Sequence, residues 1–220
     1  MKKKEWRKRR WLCVTSALLL SMAAVCQAEI ITIGIKARVN WVNDQAGYLK
    51  GAVAQNDILT GYYVFYSLTP DSNPSGSVGI YEYDMAPVGM WVGANGLTFG
   101  TNPSEVQFSI SIANGSDDAH VIDAGFGAAT LLSLPDGTPV TEMFWQLNDY
   151  TGHALSSDAL PLTPPVLENW NDLNYLYIKG GPRETEFDIG GRVIETWPIP
   201  EPSTVLLLAC GILLTRRVEK

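Results

Sequence analysis

Along most of the chain, hydrophobic positions recur at every second residue. Ile31, Ile33, Ile35, Ala37, Val39 and Trp41 alternate with Thr32, Gly34, Lys36, Arg38 and Asn40. That is the period of a strand with one buried and one wet face. Val106, Phe108, Ile110 and Ile112 repeat the pattern, as do Met143, Trp145 and Leu147. Gly61-Tyr62-Tyr63-Val64-Phe65-Tyr66 reads as a central aromatic strand. Phe187 and Ile189 precede Gly190-Gly191, and residues 192–197 form one more strand. Asn95-Gly96 lies between Trp91-Val92 and Leu97-Thr98-Phe99. It predicts a two-residue hairpin, because both central positions need positive φ. Asp136-Gly137 and the proline-rich 161–165 mark further loops, and 152–171 is the longest loop-like stretch. No segment of twelve or more residues keeps a helical period; residues 48–58 offer only a short helix candidate. Many short strands at this spacing predict an all-β body, an antiparallel β-sandwich of about eight to ten strands.

Charge separates the ends from the middle. Seven of the 16 basic residues fall within the first ten positions, and Arg216, Arg217 and Lys220 close the chain. Residues 29–198 keep six basic and twenty acidic residues, a net charge of −14. Such a surface repels nucleic acid and anionic membranes and suits a soluble exported domain. Cys13, Cys26 and Cys210 all lie outside 29–198, which removes disulfide, thiol and zinc–thiolate chemistry from that segment.

The first 28 residues have the tripartite form of a secretory signal peptide. A basic n-region (1–10) leads into an apolar stretch (11–25), and Cys26-Gln27-Ala28 offers small residues for signal peptidase, with cleavage after Ala28. At the other end, Pro200-Glu201-Pro202-Ser203-Thr204 precedes the leucine-rich 205–215 and then Arg216-Arg217. Proline ends a helix or a central strand. The basic residues favour a cytoplasmic terminus behind a short transmembrane helix. The span 203–215 measures about 20 Å as a helix, against about 30 Å of hydrocarbon. Local thinning and snorkelling arginines bridge such a gap.

This terminus resembles the PEP-CTERM sorting signal, through Pro200, Glu201 and Pro202, the apolar span, and the stop-transfer Arg216 and Arg217. Two body segments also resemble a PEP-CTERM subtype that carries no defined activity. They are 69–75 followed by Val78-Gly79-Ile80-Tyr81, and 156–161 followed by Pro164-Pro165. The resemblance implies an exosortase substrate of a Gram-negative bacterium that makes exopolysaccharide, often in biofilms. The expected organisation is a signal peptide over 1–28, a β-sandwich over 29–198 and a sorting signal over 199–220. The expected role is a non-enzymatic cell-surface or matrix protein. Its partners would be signal peptidase, exosortase and exopolysaccharide, and its tail would hold it in the membrane until processing.

Residue chemistry adds three narrower readings. Asp71, Asn73, Ser75, Gly76 and Glu82 have the spacing of a calcium loop, although Pro74 stiffens it and a hairpin turn explains the same residues. Exposed aromatics on a sandwich bind sugar rings, and Trp170, in the polar run Glu168-Asn169-Trp170-Asn171-Asp172, is the expected exposed one. A secreted hydrolase would need a carboxylate pair, and nothing in the sequence selects two of the twenty. His120 and His153 are isolated, and no nucleophile, dinucleotide or metalloprotease motif is present, so no cofactor is expected.

Overall fold

The computed structural model describes residues 28–73, 76–183 and 186–200. Among the described residues ten strands make up the fold: β1 (Ile30–Asn43), β2 (Ile58–Tyr66), β3 (Val78–Tyr83), β4 (Gly89–Ala94), β5 (Leu97–Gly100), β6 (Phe108–Ala113), β7 (Asp118–Phe126), β8 (Val140–Asp149), β9 (Leu173–Gly180) and β10 (Phe187–Pro198). Every pairing is antiparallel, in the order β3-β6-β7-β8-β9-β10-β1-β2-β4-β5. The body is therefore all-β, built as one hydrogen-bonded sheet and not as two separate ones.

That sheet curls over its own apolar face. Tyr63 of β2 stacks on Phe65 with ring centroids 5.8 Å apart and meets Trp145 of β8 edge-on at 6.2 Å, although three strands lie between β2 and β8. β4 also touches β7, and β5 touches β8. The closing stitch is polar. Thr101, fully buried just after β5, donates from Oγ1 to Ala124 O at 2.8 Å and accepts from Met90 N–H at 3.1 Å. Around it Asn102 N–H reaches Thr130 O, and Leu132 N–H reaches Gly100 O, both at 2.8 Å.

The alternating pattern sorts residues between the two faces. Ile33, Ile35, Ala37 and Val39 point inward, as do Phe108, Ile110 and Ile112, and Met143, Trp145 and Leu147. Each such large apolar side chain contributes about 1.5–3 kcal/mol by leaving water. The Asn95-Gly96 hairpin joins β4 to β5 with φ of 51° and 87°. The two-residue break at Gly190-Gly191 does not interrupt β10, which runs through it.

Three local expectations are corrected. Residues 48–58 are not helical: 48–57 form successive turns, with positive φ at Lys50, Gly51 and Asn56, and Ile58 opens β2. Trp41 does not continue the buried set of β1. A register shift between Val39 and Trp41 adds one residue to the ladder and turns the indole outward, leaving it 39% exposed. Trp170, following a single 3-10 turn (Leu167–Asn169) in the long connection between β8 and β9, is buried at 3% exposure.

Among the described residues no helix is long and apolar enough to cross a membrane. Of the expected signal peptide (1–28) all but Ala28 lies outside the described residues, as do Ser75 and, of the expected sorting signal, Glu201, Pro202, Arg216 and Arg217.

Candidate functional site

The outer face of the sheet concentrates aromatic rings around the β1/β10 pair. Their register places Gly34 opposite Trp197 and Gly190 opposite Trp41. In each case the indole lies across the facing glycine. A Cβ on Gly34 would come within 2.1 Å of the Trp197 ring, and one on Gly190 within 2.3 Å of the Trp41 ring. An indole laid flat on backbone has one π-face against the sheet and leaves the other toward solvent. The two tryptophans are reciprocal, one from each strand, near opposite ends of the shared ladder.

Trp41 is extended sideways by neighbours in register. Phe144 of β8 faces Tyr177 of β9, which faces Gly190. Tyr177 lies 6.3 Å from Trp41, 5.5 Å from Phe144 and 5.6 Å from Tyr175, centroid to centroid. A smaller group sits beyond Gly34, where Tyr62 of β2 packs 5.5 Å from Trp91 of β4. Trp91 donates from Nε1 to Thr101 O at 3.0 Å, which fixes it as part of the scaffold.

Charges on the same face are mostly paired. Lys36 bridges Glu195 at 3.5 Å and Lys179 bridges Glu142 at 2.6 Å, whereas Asp188 accepts from the neutral Asn43 at 3.1 Å and keeps its charge. Arg38 and Arg192 stand directly opposite one another, both exposed, and neither has a carboxylate partner among the described residues.

No family model, curated protein or solved structure matches this chain.

Elsewhere, Glu82, Asp84 and Asp123 line a 520 Å³ cleft with Gln107, Ser109 and Phe126. Glu82 of β3 faces Ser109 of β6, and Ser109 faces Asp123 of β7. Partial burial raises the Asp123 carboxyl above the ordinary value, against a donated bond from Gly125 N–H. Of the calcium-spaced residues, Asp71 spends Oδ1 on the N–H groups of Asn73 and Ile80, both at 2.8 Å, which clamps the loop onto β3. Glu82 lies farther along β3, in the cleft. No group of three or more His, Cys, Asp or Glu among the described residues is placed to hold a metal ion.

The two histidines differ. His153 is exposed. His120 is buried between Trp145 at 6.4 Å and Trp170 at 6.2 Å, and burial lowers its pKa to about 4. Buried Asp118 and Asp149, opposite each other in the β7/β8 ladder, bind backbone N–H groups of the loops that follow β6 and β8. Thr151 hydroxyl and backbone donors hold the Asp149 carboxyl at about 2.

Both terminal junctions leave from one end of the molecule. Glu29 exchanges hydrogen bonds with Ser67, and β1 starts at Ile30. At the other terminus Pro198 faces Ile33, Ile199 N–H bonds Thr32 O at 2.9 Å, and Pro200 is exposed.

Sequence reasoning missed the outward aromatic ladder. Trp41 belongs by period to the buried set, and only the bulge after Val39 reverses it. The signal that was legible is the pair of glycines, Gly34 and Gly190, set in strands otherwise rich in β-branched and aromatic residues.

Proposed function

We propose that this chain is an exported, non-enzymatic cell-surface or extracellular-matrix protein. Its leader is removed by signal peptidase after Ala28, and its tail is sorted by exosortase through Pro200, Glu201 and Pro202. The observation that carries this reading is the order of proline motif, apolar span and Arg216-Arg217 behind a secretory leader. The body supports it in one respect. The last ladder strand ends at Pro198, and the exposed Pro200 follows the junction beside the start of β1. A leader and a tail rooted side by side let one membrane hold both before processing.

A second reading of the body, as a carbohydrate-binding module, is favoured by the outward Trp41 and Trp197 lying on Gly190 and Gly34. The sugar partner under the sorting reading is the producer's own exopolysaccharide.

Mass spectrometry of the mature protein from cells with and without exosortase tests the sorting. A terminus lacking Arg216-Arg217 only where exosortase is present supports it. The same intact terminus in both strains refutes it.

A further inference from the structure

We infer that the β1/β10 ladder binds a linear acidic glycan lengthwise, with sugar rings on Trp41 and Trp197 and an acidic group held between Arg38 and Arg192. This rests on the carbohydrate-binding reading and adds the chemistry and placement of the ligand.

Three features of the ladder lead there. The first is the reciprocal pair of indoles. Trp197 on β10 covers Gly34 of β1, and Trp41 on β1 covers Gly190 of β10. Seven residues separate positions 34 and 41, which is about 23 Å of strand at about 3.3 Å per residue. The platforms are therefore too far apart for one sugar ring and suited to an extended chain.

The second feature is the charge between them. Lys36 faces Glu195 and the two form an ion pair, whereas Arg38 faces Arg192. Like charges directly opposite on a sheet repel. This body carries only six basic residues against twenty acidic ones, so carboxylate partners are abundant in the sequence. None among the described residues reaches either guanidinium. Two exposed guanidinium groups side by side present the forked donors that match a carboxylate or sulfate.

The third feature is the state of the surrounding acids. Glu142 and Glu195 are bridged by lysines, and Asp188 accepts from Asn43. Asn43 is neutral, so Asp188 keeps its charge and lies past Trp41. Two guanidinium groups against that one carboxylate still leave the unpaired charge on this strip net cationic, although the whole body is anionic. A uronic-acid polymer meets both demands, since its apolar ring faces suit indoles and its regularly spaced carboxylates suit the arginines.

The test uses the purified full-length chain with alginate oligosaccharides, and cello-oligosaccharides of the same length as the neutral control. Binding is followed by calorimetry at low and at moderate salt. Wild type is expected to prefer alginate, with affinity falling as salt rises. Arg38→Gln with Arg192→Gln is expected to weaken alginate binding by about 10- to 100-fold and to flatten its salt dependence. Lys50→Gln, a charge loss at a lysine paired with Asp136, is expected to change neither. Trp41→Ala and Trp197→Ala are each expected to weaken both glycans by about tenfold. Both arginines are exposed, so their double variant stays informative if a tryptophan variant unfolds.

Loss of binding in the tryptophan variants with unchanged alginate affinity in the double arginine variant overturns the acidic-ligand inference and leaves the sugar-binding reading standing. Binding of neither glycan by wild type overturns both. A concentration-dependent dimer that Trp41→Ala abolishes, without glycan binding, assigns the face to a second copy of the chain and also overturns the inference.

Discussion

Replacing His120 by phenylalanine isolates one buried ionisation from all the others. The ring lies between Trp145 and Trp170, and its Nδ1 has no hydrogen-bond partner among the described residues. Burial lowers its pKa from 6.5 to about 4. The unfolded chain therefore takes up a proton near pH 6.5 that the folded chain refuses until about pH 4. Stability from the neutral ring is complete above pH 6.5, declines as pH falls, and levels off below about 4. The gap is about 2.5 pH units, and at about 1.36 kcal/mol per unit it corresponds to roughly 3 kcal/mol. At neutral pH the substitution removes an unpartnered nitrogen, a gain of about 1 kcal/mol, and adds volume at a similar cost, so it is expected to be nearly neutral. Near pH 4.5, H120F is expected to exceed wild type by roughly 2–3 kcal/mol. Urea unfolding followed by tryptophan fluorescence at about pH 7.5 and about pH 4.5 measures this, because the carboxylates contribute equally to both proteins and cancel in the difference. A wild-type-to-variant gap that stays the same to within about 0.5 kcal/mol at both pH values refutes a neutral buried His120.

Two further substitutions follow from the same core. Asn174 replaces a missing ladder rung between β9 and β10: its side-chain amide donates to Val193 O at 2.8 Å, while Oδ1 accepts from Val193 N–H and Trp145 Nε1, both at 3.1 Å. N174A strands these buried groups and is expected to cost about 3 kcal/mol in urea unfolding; a loss below about 1 kcal/mol would mean the backbone rejoins without it. W170A empties a buried site against His120 and is expected to cost about 3–5 kcal/mol. In the folded fraction it should leave glycan affinity unchanged, and a selective loss of binding by a fully folded W170A would refute the buried placement.

The period-two pattern, by itself, determined the all-β class and the inward set of β1, β6 and β8, because alternation admits one buried face. It also placed the β4/β5 turn, since Asn95-Gly96 satisfies positive φ at both central residues. The distal ends and their charges are likewise properties of sequence alone. β7 was less legible: it buries Asp118 and His120 at positions where polarity normally signals solvent, and the Leu155 N–H that binds Asp118 and the indole of Trp170 that covers His120 come from distant sequence. Tertiary structure decided the rest. One extra residue in the β1 ladder turned Trp41 outward, and the packing of the β8–β9 connection against His120 drew Trp170 inward. The candidate face depends on which strands adjoin, and local sequence does not encode that β10 returns beside β1 to set Trp197 on Gly34 and Arg192 against Arg38. Such pairings are fixed by long-range closure of the sheet over its core, whose free energy is shared among all ten strands.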